Sequence, residues 1–237
     1  RQLSDCAGPS RGKQSIVTRA VIFDLDGTLI DSLPDVMNAL NAVLDDNGRR
    51  AVTRDEAKTM VGGGAEPLLG RAFDATGEAL PAENLFECVD AFTAYYRENP
   101  ATETTIFDGV VQALETLSRD GMKLGICTNK PHKSALQVLE ALKLDRHFDA
   151  CFGKASLPFH KPDRRHYDEV ARALGAAPER TLYVGDSETD VETARNAGVP
   201  IILVPFGYSR RPAAELGSDR MINHFSELPT TVADLFS

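Results

Sequence analysis

The stretch Val21-Ile22-Phe23-Asp24-Leu25-Asp26-Gly27-Thr28-Leu29 constrains this chain more than any other. An apolar run of β-branched and aromatic residues reads as a buried strand, and it delivers two carboxylates to its C-terminal end, where open parallel sheets bind their ligands. Residues two apart on a strand point the same way, so Asp24 and Asp26 can face one small volume. Two carboxylates about 4 Å apart repel by roughly 4 kcal/mol at an effective dielectric of 20. A positive group is therefore expected between them. Asp-Gly is also a favoured β-hairpin turn, and on this segment alone that alternative stays open.

Three further polar clusters follow apolar runs or precede helical patterns. Lys123-Leu124-Gly125-Ile126-Cys127 ends in Thr128-Asn129-Lys130, and Thr181-Leu182-Tyr183-Val184 ends in Gly185-Asp186-Ser187-Glu188-Thr189-Asp190. Between them, Lys161-Pro162 occupies a loop ahead of a helical pattern. A hydroxyl, an ammonium and several carboxylates beyond strand ends read as one assembled site.

The rest of the chain predicts α/β architecture: a doubly wound parallel sheet, Rossmann-like, carrying a small inserted α-helical domain. Four helical stretches, 34–48, 54–60, 65–75 and 81–98, follow the first strand with no strand between them, as expected of a small bundle. In the last, Leu85, Val89, Phe92 and Tyr96 form one stripe. From Val110 onward helices and strands alternate with short links, the pattern of a parallel sheet covered on both faces. The expected organisation is a polar, disordered leader over 1–19, a core from 20–32 and 105–237, and a helical insert over 33–104.

Net charge and length narrow the function classes. A net charge of −9 and a pI near 5.1 oppose nucleic-acid binding, because the overall field repels phosphates. No apolar run reaches the roughly 20 residues of a membrane span, and the leader lacks a signal peptide's apolar core. Cys6, Cys88, Cys127 and Cys151 show neither zinc nor disulfide spacing, so reduced thiols and a cytoplasmic location are expected. Cys127 adjoins Thr128.

Asp-Leu-Asp-Gly-Thr at 24–28, Thr128, Lys161-Pro162 and Gly-Asp-Ser-Glu-Thr-Asp at 185–190, in this order, resemble the haloacid dehalogenase superfamily of phosphotransferases. Val61-Gly62-Gly63-Gly64-Ala65, Thr128-Asn129-Lys130-Pro131 and Pro205-Phe206-Gly207-Tyr208 look most like its phosphoglycolate phosphatase branch. The resemblance implies an aspartyl-phosphate route in which Asp24 is the nucleophile and Asp26 the general acid and base. It also implies that Thr128 and Lys161 grip the phosphate, with Asn129 beside them. A carboxylate-rich, oxygen-only site suits Mg²⁺, and by resemblance its ligands are Asp24, the Asp26 carbonyl and Asp186, with Asp190 supporting them or serving as a helix N-terminal residue. Relatives often carry further prolines after Lys-Pro, whereas Asp163-Arg164-Arg165 follows here.

Specificity is expected from the insert, called a cap in this superfamily. Gly62, Gly63 and Gly64 precede a helix, where close backbone approach suits an anion such as the carboxylate of 2-phosphoglycolate. A flexible helix–helix turn is the plain alternative. Arg71 is expected either to guide that carboxylate or to pair with Glu66, and Lys130 is an alternative cation from the core. The expected partner is a small phosphorylated metabolite, with the chain a monomer or homodimer. The competing expectations are a phosphatase for a sugar phosphate or pyrophosphate, a β-phosphoglucomutase-like isomerase, and a non-catalytic phospholigand-binding protein.

Overall fold

A computed structural model describes residues 18–237. The expected disorder of the leader concerns, for residues 1–17, and for Cys6 within them, positions outside the described residues. In chain order the elements are β1 (Ala20–Phe23), β2 (Ile30–Asp31), α1 (Leu33–Asp46), α2 (Arg54–Met60), α3 (Ala65–Thr76), α4 (Leu85–Glu98) and β3 (Thr105–Ile106). There follow α5 (Val110–Arg119), β4 (Lys123–Pro131), α6 (His132–Ala141), β5 (Ala150–Lys154), α7 (Arg164–Ala173) and β6 (Thr181–Gly185). The chain closes with α8 (Glu188–Ala197), β7 (Ile201–Leu203), β8 (Arg220–Met221) and α9 (Leu228–Leu235).

Six strands form one parallel sheet in the order β5-β4-β1-β6-β7-β8. Every residue of β1 is fully buried, which only a strand covered on both faces permits. Val21 and Phe23 pack into one core with α5, α6 and α9, while Ala20 and Ile22 pack into a second with α7 and α8. This alternation is the two-residue period of a strand. Because β4 and β6 lie on opposite sides of β1, connections diverge there and open a crevice at the strand ends. Asp24, Thr128 and Asp186 all emerge at that crevice. The hairpin alternative for Asp26-Gly27 is not realised, since both neighbours of β1 are parallel to it.

Two strands were not expected from the sequence. β2 and β3 pair antiparallel, Ile30 opposite Ile106 and Asp31 opposite Thr105, at the two points where the chain leaves and re-enters the sheet-bearing part. Beyond β2, Asp35 of α1 accepts hydrogen bonds from the Glu103 and Thr104 amides (3.0 and 2.9 Å) and from the Thr104 hydroxyl (2.6 Å). A carboxylate 2% exposed with this many donors clasps the two crossings together. Between them, α1 to α4 pack through residues such as Leu40, Leu44, Leu69, Phe73 and Phe92. In α4 the buried row is Cys88, Phe92 and Tyr96, spaced by four; Leu85 and Val89 are only half-buried, at the edge of that face.

Candidate active site

At the end of β1, the Asp24 amide donates to the Val184 carbonyl of β6 (2.9 Å), which fixes the backbone just where the carboxylate begins. The following turn brings Gly27 against Asp186 with φ +83°. A Cβ there would stand 2.6 Å from Asp186 Oδ2, so both conformation and space require glycine. Carboxylate oxygens of Asp24, Asp186 and Asp190 lie within 4.8 Å of one another, and all three residues are buried. The side chain of Asp26 is not part of that cluster. It accepts instead from the Ser32 hydroxyl (2.6 Å) and the Lys130 ammonium (2.9 Å). Each of the two leading carboxylates thus has its own lysine.

The three clustered carboxylates have different surroundings. Asp190 sits at the first turn of α8. It accepts from Lys161 Nζ (2.7 Å), the Tyr183 hydroxyl (3.2 Å), the Asp186 and Ser187 amides (3.1 and 3.0 Å) and the Ser187 hydroxyl (2.7 Å). Burial opposes its ionisation, but Lys161 and Ser187 outweigh burial and hold the carboxyl below its usual range. Asp190 is thus a helix-capping residue and the anchor of Lys161. Asp186 accepts from the Thr28 hydroxyl (2.9 Å) and the Tyr208 amide (2.6 Å). Burial, then Asp190 and Asp24, push its carboxyl well above the ordinary range.

Asp24 is the under-satisfied member. Its Oδ1 is buried, and Lys161 Nζ at 2.9 Å is its one partner among the described residues. Burial pushes its carboxyl up to about 6, with Lys161 opposing and Asp190 and Asp26 adding. Three buried acids against one ammonium is a donor set suited to a hard divalent cation.

A cavity of ≈ 150 Å³ lies between this cluster and the helical insert. That is below the roughly 300–1,000 Å³ of pockets for drug-sized ligands and fits a small ester. Asp24, Asp26, Thr128 and Asp186 line its sheet side, and Gly62, Gly63 and Gly64 its insert side. Thr128 Oγ1 accepts the Lys130 amide (3.1 Å), which leaves its own proton available to the cavity. Lys161 is 3% exposed and lies behind Asp24 rather than on the cavity wall.

Two expected substrate residues have other engagements. The Asn129 side chain clamps the backbone of Lys161, donating to its carbonyl and accepting from its amide at 3.0 Å each. It positions the lysine, and Asn129 also lines the cavity. Arg71 neither pairs with Glu66 nor faces the main cavity. Its guanidinium donates to the Met60 carbonyl (2.9 and 2.6 Å) and the Gly62 carbonyl (2.6 Å). It braces the glycine loop, whose three residues all have positive φ. Hydrogen bonds from a charged donor contribute about 1.5–3 kcal/mol each. Arg71→Ala is expected to loosen the loop and raise KM about tenfold with a smaller change in kcat, as steady-state kinetics would show.

Sequence reasoning missed the role of Tyr208, which joins this site to the crossing strands. Its amide holds Asp186, while its hydroxyl donates to Asp31 (2.8 Å) and accepts from the Leu33 amide (3.0 Å). Asp31 in turn pairs with Arg54 of α2 at 2.6 Å. Cys127 is buried, and burial pushes its thiol up to about 12, so it is an inert core thiol. His166 is fully buried and His160 exposed, in keeping with structural or surface roles.

The family described as haloacid dehalogenase-like hydrolase matches residues 21–204. A phosphoglycolate phosphatase of Caulobacter vibrioides is 40% identical over 217 residues, covering 92% of each chain. One of Mesorhizobium japonicum is 37% identical over 214 residues, or 90% of this chain and 94% of that one. Among solved structures, a predicted phosphoglycolate phosphatase from Haemophilus somnus 129pt superposes with a TM-score of 0.85 at 30% identity, covering 90% of this chain and 97% of that one.

Proposed function

The chain belongs to the haloacid dehalogenase-like hydrolase family, and from that premise we propose that it is a phosphatase of small phosphate monoesters, with 2-phosphoglycolate as its substrate. The observation that carries the reading is the Asp24 carboxylate, buried at the wall of a small cavity with the Lys161 ammonium as the one partner of its Oδ1. A purely structural carboxylate would be saturated, as Asp190 is. The relatives that are phosphoglycolate phosphatases support the choice of ester.

In the proposed reaction an Asp24 oxygen attacks phosphorus, forming an acyl-phosphate bond as the ester P–O bond breaks. Asp26 protonates the departing glycolate oxygen, then takes a proton from the water that attacks phosphorus and frees Asp24. The Thr128 hydroxyl donates to a non-bridging phosphoryl oxygen. Lys161, locked by Asp190 and Asn129, orients Asp24 and offsets charge beside it. The Asp24 and Asp186 carboxylates with the Asp26 carbonyl would hold Mg²⁺, which supplies charge neutralisation at the phosphoryl oxygens. Residues 33–104 act as a cap over the cavity, and their closure excludes bulk water.

The test is phosphate release from a panel of monoesters with and without Mg²⁺. The expected result is metal-dependent turnover with kcat/KM for 2-phosphoglycolate at least tenfold above sugar phosphates, nucleotides and pyrophosphate, about 1.4 kcal/mol of differential transition-state binding. Equal turnover across the panel would remove the specific substrate. Phosphate returned to a sugar without release would indicate an isomerase.

A further inference from the structure

Two lysines serve this site, and they are placed differently. Lys161 is enclosed behind Asp24, between that carboxylate and Asp190. Lys130 lies on the cavity wall and, among the described residues lining the cavity, is the one that carries positive charge. Arg71 lines a neighbouring cleft instead, and its donors are engaged by backbone carbonyls.

Lys130 is itself nine-tenths buried, at 8% exposure. Its ammonium donates to Asp26 Oδ1 (2.9 Å) and to the Tyr96 hydroxyl of α4 (2.7 Å). An ammonium has three N–H groups, so these contacts leave one for a ligand. The remainder of the cavity is largely apolar opposite the sheet, with Val36, Leu68 and Phe92 on that side. A second anion entering such a cavity beside the phosphate needs a cation, and Lys130 supplies it. Thr128 and Lys130, two residues apart at the end of β4, both line this cavity.

We infer that Lys130 is the specificity-determining residue of this pocket, taking the carboxylate of a phosphorylated two-carbon acid while Thr128 takes its phosphate. The inference rests on the phosphatase reading above and adds the residue that selects an acidic over a neutral ester. Tyr96 makes the arrangement dependent on the helical insert, because the hydroxyl that steadies Lys130 comes from α4.

The experiment compares 2-phosphoglycolate with ethyl phosphate, in which a methyl group replaces the carboxylate. For the unaltered protein the expected preference in kcat/KM is at least a hundredfold. Lys130→Gln keeps a polar group near Asp26 and Tyr96 but removes the charge, and Lys130→Met is the second variant should the first fail to fold. In either, the preference is expected to fall below tenfold, with the loss falling mainly on phosphoglycolate. Both esters also lose some rate, since Asp26 loses a partner. If the two esters lose the same factor and the preference survives, Lys130 acts only through Asp26 and the inference is overturned. If the unaltered protein shows no preference for phosphoglycolate, the substrate reading fails instead.

Discussion

Asp24→Asn is expected to abolish phosphate release, lowering kcat on the order of 10⁴- to 10⁶-fold as loss of a nucleophile does, while leaving a folded protein that melts higher than the parent in the absence of metal. The two effects share one cause. The Asp24 carboxylate is held in a buried position with Lys161 as its one cationic partner, and burial, outweighing that lysine, pushes its carboxyl from 3.8 to about 6. A carboxyl whose folded-state pKa is raised makes folding less favourable as pH rises from the unfolded value through the folded one. The penalty is absent below about pH 3.8 and complete above about pH 6. At 1.36 kcal/mol per pKa unit it is of order 3 kcal/mol. The neutral amide does not carry it. A gain of several degrees in Tm at pH 8 that shrinks towards pH 4 is therefore expected, and thermal melts of both proteins across that range would check it. Turnover retained by the Asp24→Asn variant would remove Asp24 from the chemistry.

Removal of Mg²⁺ is expected to abolish turnover and to lower the melting temperature, the second effect depending on pH. Asp24 and Asp186 are both raised, burial being the main cause, with neighbouring carboxylates adding to it in each. Protons occupy these groups at low pH and compete with a cation; as pH rises through about 6 the competition at Asp24 disappears. Saturation at a hundredfold above Kd stabilises by about 2.7 kcal/mol. Addition of Mg²⁺ should thus raise Tm by several degrees at pH 8 and by much less at pH 5. A Tm unaffected by Mg²⁺ at pH 8 would argue against a metal held by these carboxylates, independently of any activity measurement.

Much of this was legible from the residues because burial leaves a strong imprint on composition. The apolar run at Ala20–Phe23 marks the central strand, its abrupt end marks the crevice, and Arg54–Met60 is helical over the range its pattern predicts. The crossing strands β2 and β3 escaped notice because two residues are too few to show alternation. Asn129 and Arg71 look like ligand-binding groups in sequence, yet their donors go to backbone. Which carbonyl lies within reach depends on the Lys161 loop and the end of α2, which are remote in sequence from Asn129 and Arg71 respectively. The Lys130–Tyr96 contact was hidden for a similar reason. Tyr96 fits a core stripe of α4, and nothing local shows that its hydroxyl emerges beside an ammonium 34 positions away. Tyr208 joins Asp186 to Asp31 through its backbone on one side and its hydroxyl on the other, a role no residue type announces.

The central claim is that phosphoryl groups pass through Asp24. The most direct measurement is to mix the protein with 2-[³²P]phosphoglycolate and Mg²⁺, quench in acid within milliseconds, and map the label on peptides. The account predicts a hydroxylamine-sensitive label on the peptide containing Asp24, formed and lost at rates consistent with turnover and missing from Asp24→Asn. Label on another residue, or full-rate phosphate release with no labelled protein at any time, would contradict it.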